Sequence, residues 1–213
     1  MAKFGNWFVK ITGWLLAVFA FKTKVYYEDK SVQSRRIRGK AIVMSNHFSI
    51  WDFASLLFVF WTRTLRCVVA ELLYEKNIFF TTLLKALGCI KVDRNMHDFS
   101  FIDKCRRILD RGGVVEIYPE ARVPGAGDVV PLEFKPSVVY LALESGAPII
   151  PVYTDGRYFR RKRNYVMIGK PINVSELYDP SLTEKENISA ITAILRGKVI
   201  ELREKVEKEK TAG

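Results

Sequence analysis

Cysteine is scarce and unpatterned in this chain of 213 residues: Cys67, Cys89 and Cys105 stand singly in apolar or helical surroundings. An odd count without metal-like spacing excludes a disulfide framework and a cysteine-held metal, and leaves core thiols of a reducing compartment. Long apolar runs are missing too. The uninterrupted one near the N-terminus, residues 14–21, is too short to cross a bilayer, and Lys10 would lie inside any longer span. No small-x-small cleavage site follows it, which argues against a secretory signal. Internal repeats and low-complexity linkers are absent, so nothing marks a second globular domain. Acidic residues are outnumbered, 23 against 34 Lys and Arg, giving a net charge of +11. That excess points to a polyanionic partner: nucleic acid, an anionic bilayer or a phosphorylated substrate.

What is present suits one sizeable core, with 49% hydrophobic and 27% charged residues. Residues 4–21 place Phe4, Trp7, Phe8, Ile11, Trp14, Leu15 and Val18 on one helical stripe, with Asn6, Lys10 and Gly13 elsewhere. Lys22, Lys24, Lys30, Arg35, Arg36, Arg38 and Lys40 follow, so aromatic anchors adjoin a basic flank suited to anionic headgroups. Residues 1–30 are therefore expected to be a membrane-associating segment, peripheral or monotopic on the cytoplasmic face of the cell membrane. The competing reading is an ordinary helix covering the core.

Beyond it, strands and helices alternate. Strands are predicted over residues 40–44, 65–69, 89–92, 114–118, 149–153 and 165–168. Helices are predicted over residues 53–58, 72–87, 98–109 and 136–145, and from about 183 to 210. Strands spaced by helices imply an α/β fold, a mostly parallel sheet flanked by helices, over residues 31–213.

Chemistry concentrates in Ser45-Asn46-His47-Phe48-Ser49-Ile50-Trp51-Asp52, between the first of these strands and its helix. On one continuous helix, His47 and Asp52 would lie about 140° apart and could not meet. They meet if His47 sits in the turn and Asp52 in the first helical turn, its carboxylate pointing back toward the strand edge. A ring held that way is fixed in tautomer, and its free nitrogen becomes a better base toward a hydroxyl. The plainer alternative is a capping Asp beside an unremarkable His. Three further places, holding four charged residues, follow strand ends or open a helix. Arg94 follows residues 89–92; Glu120 and Arg122, two apart in an extended segment, could project together; Lys135 stands at a helix start. In open α/β sheets, ligands bind beyond the carboxyl ends of the strands, where His47, Arg94, Glu120 and Arg122 all fall.

Asn46-His47 with Asp52 resembles the N-H-x-x-x-x-D motif of the glycerolipid acyltransferase superfamily, the 1-acylglycerol-3-phosphate acyltransferases in particular. Residues 88–94 are similar to its G-x-I-x-I-D-R block, Tyr118-Pro119-Glu120 to the start of F-P-E-G-T-R-S, and residues 147–152 to V-P-I-I-P-V. Four blocks in family order over roughly residues 40 to 155 are far more specific than an isolated H-x-x-x-x-D. The chain departs in having Ala121-Arg122-Val123 where the family usually has G-T-R, Ser137 for a glycine, and Tyr118 for Phe. The resemblance implies acyl transfer from an acyl-carrier-protein or coenzyme A thioester to the free hydroxyl of 1-acylglycerol-3-phosphate, giving phosphatidic acid without an acyl-enzyme and with no cofactor beyond the donor; another lysophospholipid or amino-lipid is the alternative acceptor. His47 and Asp52 would be catalytic, and Arg94, Arg122 and Lys135 would hold the acceptor phosphate. Glu120 would order the arginines or bind an acceptor hydroxyl. Expected partners are the lysophospholipid, the donor and an anionic membrane surface. A binding module for nucleic acid or membranes is the alternative from another class, but aromatic-basic interleaving for base stacking is missing.

Overall fold

The computed structural model describes residues 2–74, 77–92 and 100–211. The strands are β1 (Lys24–Tyr27), β2 (Ala41–Ser45), β3 (Leu65–Ala70), β4 (Ile90–Val92), β5 (Val114–Ile117), β6 (Ile149–Thr154) and β7 (Tyr165–Ile168). They form one sheet in the order β1-β7-β6-β2-β5-β3-β4, parallel throughout except where β6 meets β7. The helices are α1 (Ala2–Phe21), α2 (Asp52–Val59), α3 (Ile78–Leu87), α4 (Ser100–Asp110), α5 (Ser137–Ser145) and α6 (Glu184–Thr211).

Alternation along the central strands sends side chains to two cores. Ile42, Met44, Val115 and Ile117 pack with residues of α4, α5 and α6, while Ala41, Val43 and Val114 pack with α2 and α3 on the other face. That two-sided burial explains why the strands are continuous apolar runs, and it confirms the expected α/β class. It also sets β2 in the middle of the sheet, so the turn after Ser45 opens at the carboxyl edge.

Two expectations change. The helix predicted over residues 72–87 is shorter: Glu71–Leu73 is a single 3-10 turn, and α3 begins at Ile78. Asn77, extended, accepts a hydrogen bond from Phe80 N at 2.7 Å and caps the helix there. Residues 24–27, with no strand assigned from the sequence, form the edge strand β1 by pairing in parallel with β7. Its Lys-Val-Tyr-Tyr composition suits an edge, with one charged and three half-buried side chains.

The apolar stripe of α1 faces outward. Phe4, Trp7, Phe8, Ile11, Trp14, Leu15, Leu16, Val18 and Phe19 are exposed, whereas Gly5, Asn6, Lys10, Ala17 and Phe21 are buried against the domain. Gly5 permits the approach to α3, since a Cβ there would stand 2.1 Å from Ala86 O. Asn6 donates to Leu87 O at 2.7 Å and accepts from Leu65 N at 3.2 Å. Lys10 Nζ donates to the carbonyls of Phe60 and Trp61 at 3.1 Å each and of Arg63 at 2.5 Å. These carbonyls follow the end of α2, where a helix leaves acceptors unsatisfied and favours a positive charge. Replacing Lys10 by Met should lower unfolding stability by about 1 to 3 kcal/mol, because the Trp61 and Arg63 carbonyls lose this donor; denaturant titration with an unshifted midpoint would show that the contacts carry no energy.

Candidate active site

β2 ends at Ser45, and the next residue locks the turn in place. Asn46 Nδ2 donates to Thr154 O and its Oδ1 accepts from Thr154 N, both at 2.9 Å, continuing the pairing with β6 through a side chain. The chain then doubles back before α2. Asp52, the first residue of that helix, is fully buried and gives no cap to its own helix. Its carboxylate points backward: Oδ2 lies 2.7 Å from His47 Nδ1 and accepts from Phe48 N at 2.6 Å and Ser49 N at 2.8 Å. Oδ1 accepts from Tyr158 OH at 2.7 Å.

An ionised carboxylate only accepts, so its bond to Nδ1 puts the ring proton there and leaves the Nε2 lone pair free. Among the described residues no hydrogen bond engages Nε2, and the ring lines the cavity. Tyr118 stacks beneath it, with ring centroids 4.4 Å apart and planes at 23°. His47 N donates to Glu120 Oε1 at 2.9 Å, so backbone and ring are both fixed.

The structure spreads the other sequence-derived positions. Glu120 is almost fully buried, and its second oxygen accepts from Leu132 N at 3.0 Å. It ties the His47 turn to the loop before α5, and burial raises its pKa against those two amides. Ala121 takes a left-handed conformation, φ 58°, at the position where the family motif has Gly, and this breaks the extended path expected to align Glu120 with Arg122. Arg122 instead forms a bidentate pair with Asp128, at 2.6 and 3.1 Å. Arg122 and Lys135 both line the cavity, Lys135 exposed ahead of α5. Arg94 lies outside the described residues.

That cavity has a volume of about 1010 Å³, at the upper end for small-molecule sites. His47, Arg122, Glu133, Lys135 and Arg196 contribute polar groups to its lining; Val69, Leu73, Phe80, Leu84 and Phe101 contribute apolar ones. Nothing in the sequence marks Tyr158 or Arg196, and Tyr118 is marked there only as a replacement for Phe in the third block. Tyr158 reaches Asp52 from 106 positions away in the chain, and Arg196 on α6 holds the carbonyls of Pro131 and Leu132 at 2.7 and 2.9 Å. Neither contact leaves a local pattern. The Tyr118 substitution within the third block was the available signal.

The acyltransferase family model matches residues 22–155. The chain belongs to this family. It is 27% identical over 164 residues to 1-acyl-sn-glycerol-3-phosphate acyltransferase beta of Homo sapiens, a match covering 76% of this chain and 58% of that protein. To 1-acyl-sn-glycerol-3-phosphate acyltransferase of Haemophilus influenzae it is 25% identical over 212 residues, covering 95% and 83%. The fold matches that of PlsC, the 1-acyl-sn-glycerophosphate (LPA) acyltransferase of Thermotoga maritima. Its TM-score is 0.66 at 20% identity, over 95% of this chain and 81% of that one. The family match encloses His47, Asp52, Arg94, Glu120, Arg122 and Lys135.

Beneath the site, Glu116 of β5 is fully buried; Tyr118 OH donates to its Oε1, and its Oε2 has no partner among the described residues. Burial raises its pKa well above the carboxylate range, and Tyr118 opposes the shift. A raised folded-state pKa means the folded form holds a proton that the unfolded chain releases, so stability falls as pH rises above about 4.5. Glu116→Gln should therefore be more stable than the wild type at pH 7, with the gain shrinking as pH falls toward 4.5. A difference that does not vary with pH in parallel denaturations would mean Glu116 is ionised in the fold.

Proposed function

We propose that this chain transfers a fatty acyl group from an acyl thioester to the free hydroxyl of 1-acylglycerol-3-phosphate, forming phosphatidic acid. The observation that carries the reading is a histidine held by a buried carboxylate at the wall of a large cavity lined by both cationic and apolar side chains. His47 Nε2 takes the hydroxyl proton as that oxygen attacks the thioester carbonyl; the carbon–sulfur bond then breaks, and the thiolate leaves with the proton returned by His47. The buried Asp52 carboxylate stabilises the imidazolium formed between these steps. No acyl-enzyme is required, and Ser45 and Ser49 serve only to shape the turn.

Arg122 and Lys135, joined by Arg94, are the proposed phosphate contacts through charge-assisted hydrogen bonds. Arg122 must exchange part of its Asp128 pairing to do so. Glu120 acts as a strut for the His47 turn in this scheme, because both of its oxygens already have amide partners. The apolar lining residues of β3 and α3 take the fatty chain in this scheme. The donor is acyl carrier protein or coenzyme A; both are anionic and drawn to a basic surface, and the reaction needs no other cofactor.

α1 supports the accompanying membrane reading: its inner face is docked through Asn6 and Lys10 together with Ala17 and Phe21, and its outer face is aromatic and exposed. A helix tethered in this way lies along the interface rather than across it, a peripheral or monotopic placement on the cytoplasmic face of an anionic membrane. Nucleic acid is not the favoured anion, since the exposed aromatics continue an aliphatic helical face. A second acceptor class, another lysophospholipid or amino-lipid, uses the same base with a different headgroup contact.

Mass spectrometry of products after incubation with lysophosphatidic acid and each thioester type tests the reading. Phosphatidic acid from the wild type, with His47→Ala reduced at least about 10³-fold at unchanged fold, is the expected result. Turnover retained in His47→Ala would remove it as the base. A neutral lysolipid acylated as fast as lysophosphatidic acid would remove the phosphate contacts.

A further inference from the structure

The hairpin between β6 and β7 carries Asp-Gly-Arg-Tyr-Phe-Arg-Arg-Lys-Arg-Asn over residues 155–164. Arg160, Arg161, Lys162 and Arg163 are consecutive and exposed, and none has an ion pair among the described residues. Cations of the same hairpin and of α6 are paired instead: Arg157 with Asp155 at 3.2 Å, Lys210 with Asp155 at 3.0 Å, and Lys198 with Glu28 at 2.6 Å. Four uncompensated charges in a row repel one another, so their spacing is unfavourable until an anionic surface meets them.

The loop is also fixed to α1. Phe159 N donates to Ala20 O at 2.7 Å, and the Phe159 ring lies 5.9 Å from Phe21 and 5.0 Å from Trp51. Phe159 has φ 55°, a left-handed conformation costly for a bulky side chain, yet its ring stays 58% exposed. The exposed Phe159 ring thus stands against exposed Trp51 and against Phe21, the last residue of α1, on which Val18 and Phe19 are also exposed. Lys22 and Lys24 are exposed beside it, and Lys24 N donates to Asn164 O at 2.8 Å. On the inner side, Gly156 packs so closely on the active-site turn that a Cβ would stand 2.5 Å from Phe48 Cβ. Tyr158, next to Phe159, sends its hydroxyl to Asp52.

We propose that the 159–163 loop is a second membrane-contact element that inserts Phe159 and binds the phosphate headgroups of an anionic bilayer through Arg160, Arg161, Lys162 and Arg163. An aromatic tip backed by cations and continuous with an exposed apolar helix fits a bilayer interface. A folded acidic protein would instead call for a polar rim around the charges. The loop and α1 then stand on the bilayer as two feet, with Ile50 and Trp51 of the His47 turn between them. This proposal rests on the membrane reading given above for α1.

The test is sedimentation of the full chain with phosphatidylcholine vesicles and with the same vesicles containing phosphatidylglycerol. The wild type is compared with a variant carrying Arg160→Gln, Arg161→Gln, Lys162→Gln and Arg163→Gln. One cation near an anionic surface is worth roughly a fivefold change in partitioning. The variant should therefore lose tenfold or more on the anionic vesicles, with a flatter salt dependence, and be unchanged on neutral ones. Equal partitioning of both proteins on anionic vesicles overturns the role of the loop and leaves the α1 reading standing. A wild type that binds neither vesicle overturns both. Vesicle binding retained by the variant, with turnover reduced for an acyl-carrier-protein donor but not for acyl coenzyme A, would assign the cations to an acidic protein and overturn the proposal.

Discussion

One carboxylate organises the site. Asp52 is buried beyond solvent and collects four donors: the His47 ring, two backbone amides of the turn, and the Tyr158 hydroxyl. A buried carboxylate without such partners would be neutral or severely destabilising. With them it draws the turn around itself, so the residues that satisfy the charge are also the ones whose geometry the chemistry uses. Fixing the ring and solvating the acid are the same act of folding. The position at the start of α2 adds the favourable end of the helix dipole.

The same helix connects the site to the segment proposed to meet the bilayer. Its first residue holds His47, and the carbonyls that follow its last turn receive Lys10 of α1. Tyr158 makes a second connection, with its ring against Phe21 at 5.4 Å and its hydroxyl on Asp52. α1 is thus no loose appendage. Asn6 and Lys10 turn inward to satisfy backbone groups of the domain, and the aromatic stripe is left exposed among the described residues.

Much of this was legible in the sequence where the cause is local. Apolar runs at regular spacing gave the central strands, because each is buried on both faces by helices. The encounter of His47 with Asp52 could be reasoned from the impossibility of their meeting on one helix. The edge strand β1 escaped, since four residues of mixed character become a strand only by pairing with β7, far along the chain. Glu120 and Arg122 were expected to project together, and the left-handed Ala121 between them could not be read from residue spacing. Lys10 was legible as a charge unsuited to a membrane span, but not as a buried donor, because its acceptors follow a helix some fifty residues later. Long-range polar contacts leave no period in a sequence.

Because the chain has only two histidines, His47 and His97, nitrogen NMR of the imidazole rings tests the central pairing directly, with His97→Gln providing the assignment. The account predicts that neutral His47 carries its proton on Nδ1, with an unprotonated Nε2, and that Asp52→Asn abolishes this preference. A ring protonated on Nε2 in the wild type, or a tautomer unchanged in Asp52→Asn, would contradict it.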